Sequence, residues 1–157
     1  VDVRLVSKAE MHRHLALMTQ DAPIFLDTVR ENLLIGAPGA SDAALWDVLR
    51  AVRLDGLVAS LPQGLDSYLG ERGLSLSAGQ ARRMCLARTL LSGAEVIVLD
   101  EPTSGLDRET ERAFFADLPR LAGERTVIVI THAALEPGVF DTVLSLNAGR
   151  LLQPSQV

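Results

Sequence analysis

The sequence predicts an α/β fold in which a parallel sheet carries an inserted α-helical subdomain. Two continuous apolar runs, 96–99 and 126–131, are typical of strands that are buried on both faces of a parallel sheet. An amphipathic stretch between them, 108–121, predicts the helix of a β-α-β crossover with parallel neighbouring strands. Residues 23–91 instead follow helical periodicity. The expected division is a sheet core built from residues 1–20 and 93–157, with a helical subdomain over residues 21–92 between them.

The elements before the helical block follow from apolar patterns and a helix cap. Alternating apolar residues over 1–6 predict a short strand. Ser7 and Glu10 fit a capping box, which predicts a short helix over 8–14. The apolar run 15–18 then predicts a strand that ends before Gln20.

The helical block and the last segment are marked by caps and turns. Thr28 opens a short turn, and Ser41 caps a helix that runs to about residue 52. Residues 54–61 predict a further helix before a Pro-Gln-Gly turn. The run 143–152, which contains Asn-Ala-Gly at its centre, predicts an edge hairpin.

Composition restricts the class of protein. A chain of 157 residues with 48% hydrophobic and 22% charged residues is typical of a globular domain. The net charge of −5 gives no general attraction for nucleic acid. No apolar run reaches the ~20 residues that span a bilayer, so a membrane link is expected through a partner. The single cysteine, Cys85, favours a small core residue in a reducing compartment.

An acidic pair, Asp100 and Glu101, follows the first buried strand. Ligands of open α/β sheets bind at the carboxyl ends of the strands. Adjacent carboxylates repel each other unless a cation or a proton-accepting task separates their roles. We therefore expect Asp100 to hold Mg²⁺ and Glu101 to act as general base for an attacking water. Carboxylates also cap the turns that follow strands, so the pair considered alone leaves that structural role open.

A second candidate site lies where a helix begins. Ser77 is a good N-cap and Gln80 stands at the reciprocal position of a capping box. The positive end of the helix dipole, together with small Ala78 and Gly79 in the first turn, favours close approach of a phosphate. For these residues considered alone, the alternative is a purely structural role in capping the helix.

Taken in order, these strings resemble the motifs of the ABC ATPase family over essentially the whole chain. Gln20 matches the Q-loop glutamine, and Ser77 to Gln80 match the signature. Asp100 and Glu101 match the Walker B pair, Asp107 matches the D-loop aspartate, and His132 matches the switch histidine. Ala78 stands where the commonest signature has glycine, a small change that we expect to be tolerated. The resemblance implies a P-loop NTPase (RecA-like) parallel-sheet core with an inserted α-helical signature subdomain.

The resemblance also implies ATP and Mg²⁺ as cofactors, with ATP lying between two such domains arranged head to tail. The signature would contact the γ-phosphate held by the partner domain, and Asp107 would bridge the two sites. Glu101 and His132 would act on this chain's own nucleotide. Gln20 would join the catalytic residues as a ligand of Mg²⁺ and water, together with Asp100, and would link them to movement of the helical subdomain.

One family motif is missing from the sequence, since G-x-x-x-x-G-K-[ST] occurs nowhere in it. The family places this phosphate-binding loop (Walker A), and an aromatic residue that stacks on adenine, before the position of Val1. We therefore expect the core to be incomplete at the N-terminus and the chain to be part of a longer protein. Alone, it should bind ATP poorly and be inactive, because the backbone cradle and the lysine are lost.

Local strings favour an exporter. Residues 20–25, 28–33 and 70–73 resemble exporter-type transporters, in which the last string resembles the loop that senses the coupling helices of the membrane domain. Residues 104–111 and 131–135 are similar to the CydC-type subunit of the heterodimeric thiol (cysteine/glutathione) exporter. Lipid, peptide or multidrug exporters and type I secretion ATPases are the alternatives.

The exporter resemblance implies two partners and no nucleic acid. The partners are a second ABC ATPase domain, as a homodimer or with a CydD-like subunit, and a transmembrane domain. The implied location is the cytoplasmic face of the bacterial inner membrane. A soluble ABC ATPase of DNA repair or translation is disfavoured, because 23–73 shows neither long heptads nor clustered Lys and Arg. A nucleotide-free interaction module is a third hypothesis.

Overall fold

The computed structural model describes residues 3–21, 23–70, 75–133, 135 and 138–152, leaving out the side chains of Val3 and Leu152. These residues contain six α-helices and five strands. In chain order they are α1 Lys8–His14, β1 Leu15–Met18, α2 Val29–Leu34, α3 Asp42–Ala51, α4 Asp55–Ala59, α5 Ala78–Leu91, β2 Val96–Asp100, α6 Arg108–Ala122, β3 Thr126–Ile130, β4 Ser145–Asn147 and β5 Arg150–Leu152.

The main sheet is parallel and has the strand order β1-β2-β3. Met18 lies opposite Leu99, and Leu99 lies opposite Val129. The predicted β2-α6-β3 crossover between parallel neighbours is therefore confirmed. The carboxyl ends of all three strands lie at the same edge of the sheet. Gln20, Asp100 and Glu101 lie at this edge.

One face of this sheet is open to water. Leu17, Val98 and Ile128 lie side by side in register, and the side chains of Leu17 and Ile128 are 56% and 49% exposed. The prediction that 126–131 is buried on both faces was therefore wrong. The run forms the edge strand β3, and among the described residues nothing covers its outer face.

The predicted strand over 1–6 was also wrong, because Val3–Leu5 form a 3-10 turn. Alternating apolar residues make a strand only when a neighbour satisfies the backbone, and no described strand pairs with this segment. The C-terminal hairpin is confirmed, with β4 antiparallel to β5. Its turn residues Ala148 and Gly149 have φ of 48° and 75°, the signs that a type I′ turn requires. Within the described residues the hairpin forms a sheet of its own.

Helix caps explain where most of the helices begin. Ser41 Oγ accepts the N–H of Ala44 at 3.3 Å and so opens α3 as predicted. Thr28 Oγ1 accepts the N–H of Glu31 at 3.0 Å, which makes the predicted short turn the start of the six-residue helix α2. Within the described residues no helix is both long and apolar enough to cross a membrane.

The core is centred on α5, which contacts α2, α3 and β1. Its residues Met84 and Leu86 are buried together with Leu49 of α3 and Leu99 of β2. Cys85 also lies in this core at 8% exposure, as predicted, and burial raises the pKa of its thiol. The division of the chain into a sheet core and a helical subdomain remains a prediction.

A buried arginine ties α5 to the segment after Gln20. Arg88 Nε donates to the carbonyl oxygen of Asn32 at 2.6 Å, and Nη1 donates to that of Pro23 at 2.6 Å. Its guanidinium also lies 5.1 Å from the ring centre of Phe25, and Asn32 Nδ2 donates to the carbonyl of Thr28 at 2.9 Å. Because the charge is matched by carbonyl dipoles, the arginine is satisfied inside the core. This network fixes residues 23–28 against α5.

Candidate functional site

The site is built where β2 ends, at Glu101. This residue has φ of 49°, in the left-handed region that a non-glycine residue rarely adopts. Its N–H donates to the carbonyl oxygen of Ile130 at 2.8 Å, which holds it beside the end of β3. Such backbone strain persists only where surrounding contacts enforce it, and it is concentrated at functional sites.

The structure brings Glu101 and His132 together. Glu101 Oε1 lies 2.8 Å from His132 Nδ1 and accepts the backbone N–H of His132 at 3.2 Å. A carboxylate only accepts, so Nδ1 carries the proton and Nε2 of the neutral ring is an acceptor. The hydrogen bond to Glu101 raises the pKa of His132. The Glu101 side chain is 18% exposed and that of His132 is 83% exposed, so the histidine lies at the solvent side of the pair.

An open cleft of about 500 Å³ lies beside this pair. It is lined by acidic and basic side chains, including Glu101, Glu111, Arg108, Arg112 and His132. Arg108 and Arg112 were not among the residues predicted from the sequence. Their spacing of four along α6 places both on one helix face, a signal that could have identified them.

The predicted capping box at α5 is confirmed. Ser77 Oγ accepts the N–H of Gln80 at 3.3 Å, and Gln80 Oε1 accepts the N–H of Ser77 at 2.8 Å. A Cβ on Gly79 would lie 3.2 Å from Leu106 Cδ2, so the start of α5 packs directly against the loop before α6. Ala78 is exposed in the first turn, where a methyl group meets no crowding from the core.

Asp107 is the N-cap of α6. Its Oδ1 accepts the N–H of Thr110 at 2.9 Å and its Oδ2 accepts the hydroxyl of Thr110 at 2.7 Å. These two bonds lower the pKa of Asp107. Helix capping therefore explains the position of this carboxylate without a ligand.

Gln20 and Glu101 are joined by an arginine that was not predicted from the sequence. Arg82 Nη2 donates to the carbonyl oxygen of Gln20 at 3.1 Å, and Nη1 donates to that of Glu101. The side chain of Gln20 is exposed at the same sheet edge as Asp100. A charged residue one turn after a helix cap is ordinarily exposed to solvent. The sequence alone therefore does not distinguish Arg82 from a surface arginine.

The residues at this edge fit Mg²⁺ as a hard cation with few protein ligands. Asp100 and Gln20 offer carboxylate and amide oxygens, and the described residues contain no cluster of three His, Cys, Asp or Glu that could hold a metal alone. Mg²⁺ in nucleotide sites typically keeps several waters and binds one or two protein groups together with phosphate oxygens. Asp100 and Gln20 therefore suit a magnesium ion that arrives with a nucleotide.

Comparison with known proteins gives a consistent result. A family model described as ABC transporter matches residues 2–104. A solved structure of a bacterial Atm1-family ABC exporter with ATP bound has a TM-score of 0.83 and 35% sequence identity, covering 95% of this chain and 26% of that chain. The predicted parallel-sheet α/β fold is thereby confirmed.

Several curated relatives are similarly close. The ATP-dependent lipid A-core flippase of Bordetella avium is 40% identical over 153 residues, 97% of this chain and 25% of that protein. The glutathione/L-cysteine transport protein CydC of Escherichia coli is 36% identical over 148 residues, 94% of this chain and 26% of that protein. The mitochondrial iron-sulfur clusters transporter ATM1 of Yarrowia lipolytica is 36% identical over 148 residues, 94% of this chain and 21% of that protein. The chain thus spans about a quarter of the length of these relatives.

Proposed function

Since this chain belongs to the ABC transporter family and has the fold of a P-loop NTPase, we propose that it is part of the ATP-hydrolysing domain of an exporter. The domain would couple hydrolysis of ATP to transport across a membrane. The observation that carries this proposal is the hydrogen bond between Glu101 and His132 beside the open cleft. It places a carboxylate and an imidazole together at the sheet edge where nucleotides bind in α/β folds.

The two side chains have complementary tasks. Glu101 accepts a proton from the attacking water at its carboxylate, while the Nδ1–H of His132 holds that carboxylate in place. When protonated, His132 adds positive charge at the solvent side of the pair, where phosphate charge develops. Asp100 and Gln20 are the proposed protein ligands of Mg²⁺. ATP supplies the phosphoryl group that is transferred to water, and Mg²⁺ neutralises part of its charge.

A second ABC ATPase domain completes the site in this proposal. The cap and first turn of α5, with Ser77, Ala78, Gly79 and Gln80, would contact the γ-phosphate of a nucleotide held by that partner, and Asp107 would bridge the two sites. The absence of the G-x-x-x-x-G-K-[ST] string supports the proposal that this chain alone binds ATP poorly and is inactive.

An apolar surface offers a place for a transmembrane partner. Phe25, Leu26 and Tyr68 are exposed, and Thr28 pairs with Tyr68 in an isolated bridge. The Leu26 side chain packs so tightly on Gly70 that a Cβ there would lie 2.2 Å from Leu26 Cδ2. Gly70 is the first residue of the string predicted to sense coupling helices, 70–73, and residues 71–73 lie outside the described part of the chain. We propose that the surface meets the membrane domain at the cytoplasmic face of a bacterial inner membrane.

The specific transporter that we propose is a CydC-type thiol exporter with a CydD-like partner. The strings 104–111 and 131–135, together with the similarity to CydC, support this choice. Inverted membrane vesicles that contain the full-length protein and its partner should accumulate glutathione or cysteine when ATP is added. ATP-driven movement of lipid with no movement of thiols would contradict the thiol assignment and leave the ATPase proposal intact.

The ATPase proposal is tested by replacing Glu101 with glutamine in the full-length protein. The variant should still bind ATP but hydrolyse it ~100-fold or more slowly, because a general base contributes about 10²–10⁴-fold. Glu124→Gln is the matched control, since Glu124 is exposed after α6 and away from the cleft. Turnover of Glu101→Gln equal to that of the control would remove Glu101 from the mechanism.

A further inference from the structure

Arg82 connects two parts of the proposed active site through their backbones. It lies half-buried in the second turn of α5. One guanidinium nitrogen, Nη2, donates to the carbonyl oxygen of Gln20 at 3.1 Å, and the other, Nη1, donates to the carbonyl oxygen of Glu101. A single planar group on the signature helix therefore holds the ends of β1 and β2 at once.

The backbone of Glu101 needs such anchoring. With φ of 49°, it occupies a conformation that a residue with a Cβ adopts only when its surroundings enforce it. Its N–H is held by the carbonyl of Ile130 at 2.8 Å, and its own carbonyl accepts the N–H of Ser104 at 3.2 Å. Arg82 supplies the charged donor at that carbonyl, and hydrogen bonds from a charged donor are the stronger ones.

We propose that Arg82 is a positioning residue that sets the place of both Glu101 and Gln20 relative to the signature helix. The proposal rests on the function proposed above, in which Glu101 is the general base and Gln20 a ligand of Mg²⁺. Because Arg82 belongs to α5, movement of that helix must carry both carbonyl groups with it or break these hydrogen bonds. Arg82 thereby couples the position of the signature to that of the water-activating carboxylate.

The first test compares three variants of the full-length protein. Arg82→Ala should lower kcat about 10- to 100-fold and leave the KM for ATP within about 3-fold, because misplacement of a catalytic group by 1 Å costs on the order of 100-fold. Arg82→Lys keeps the charge but lacks the planar fork, so its kcat should fall between the alanine variant and wild type. Arg50→Ala, which removes an exposed arginine paired with Asp47 on α3, should leave kcat unchanged.

The second test asks whether Arg82 acts through Glu101. Adding Arg82→Ala to Glu101→Gln should lower the residual turnover by less than Arg82→Ala lowers it in the wild-type background, because one of the two positioned groups, the Glu101 carboxylate, is already lost while Gln20 remains. A further fall as large as that of Arg82→Ala alone would overturn the proposal. So would wild-type kcat in Arg82→Ala, or a change confined to KM.

The outcomes separate this proposal from the ATPase proposal. If Glu101→Gln hydrolyses ATP at the wild-type rate, the proposed function fails and the role of Arg82 fails with it. If Glu101→Gln is inactive while Arg82→Ala retains full kcat, only the positioning role is overturned. Thermal melting identifies an alanine variant that does not fold. In that case Arg82→Lys decides the matter, and a wild-type kcat in the lysine variant overturns the proposal.

Discussion

Replacement of Gly36 by alanine should destabilise the fold, because the added methyl group would enter the backbone of α5. A Cβ on Gly36 would lie 2.2 Å from the carbonyl oxygen of Arg88, 2.9 Å from its carbonyl carbon and 3.0 Å from its Cα. Comfortable contact between such atoms begins near ~3.5 Å. The chain after α2 would therefore have to move away from α5 by about 1 Å.

That displacement also disturbs the buried arginine. Arg88 Nε donates to the carbonyl of Asn32 at 2.6 Å, and a shift of about 1 Å would take this bond to the limit of hydrogen-bonding distance. Overpacking costs about 1–3 kcal/mol, and a buried hydrogen bond from a charged donor contributes about 1.5–3 kcal/mol. Because the two effects share one displacement, we expect the free energy of unfolding to fall by about 2–4 kcal/mol rather than by their sum.

Urea unfolding followed by far-ultraviolet circular dichroism measures this change. Gly39→Ala is the matched control, since a Cβ there meets nothing within 4 Å. The control should stay within about 0.5 kcal/mol of wild type, as expected at a surface position. A Gly36→Ala variant that matches this control would refute the reasoning that close approach of α2 to α5 requires glycine.

Three further predictions concern the site. Glu101→Gln should lower the pKa of His132, because the hydrogen bond to Glu101 is the main cause that raises it. An NMR titration of the imidazole measures this pKa. An unchanged value would contradict the hydrogen bond as the cause. A raised pKa means that this bond stabilises the fold fully below the ordinary value of 6.5, and that the stabilisation is lost as pH rises through the folded-state pKa. In the full-length protein, His132→Ala should reduce turnover more than ATP affinity, so weakened affinity with normal turnover would argue against its role. Ser77→Ala should lower the free energy of unfolding by about 1 kcal/mol in urea, because Ser77 Oγ caps α5, and Ser77→Thr should retain most of that stability.

Local signals predicted much of this fold from the sequence. The caps at Ser41 and Ser77 are short-range hydrogen bonds whose partners lie three residues away, so the sequence contains both members. The strands β2 and β3 and the helix between them followed from apolar periodicity for the same reason. The proximity of Glu101 to His132 also follows, since each comes at the end of a strand and the strands are parallel neighbours.

The features that could not be predicted depend on distant partners. Alternation over 1–6 does not reveal whether a neighbouring strand exists, and Val3–Leu5 form a 3-10 turn instead. The exposed face of β3 likewise depends on what covers it. The contacts of Arg82 with Gln20 and of Arg88 with Asn32 join residues more than fifty positions apart, and no local pattern identifies which carbonyl groups such an arginine meets.

The burial of Cys85 has a practical consequence for labelling chemistry. It is the only cysteine in the chain, its thiol is packed in the core, and its raised pKa keeps the thiolate fraction low at neutral pH. Maleimide and spin-label reagents react with accessible thiolates, so Cys85 should stay unmodified while the fold is intact. A cysteine introduced at an exposed position of α5 or α6 would therefore carry a probe at one known site. Distances between such probes would report how the signature helix moves relative to the sheet, with no need to remove the native thiol.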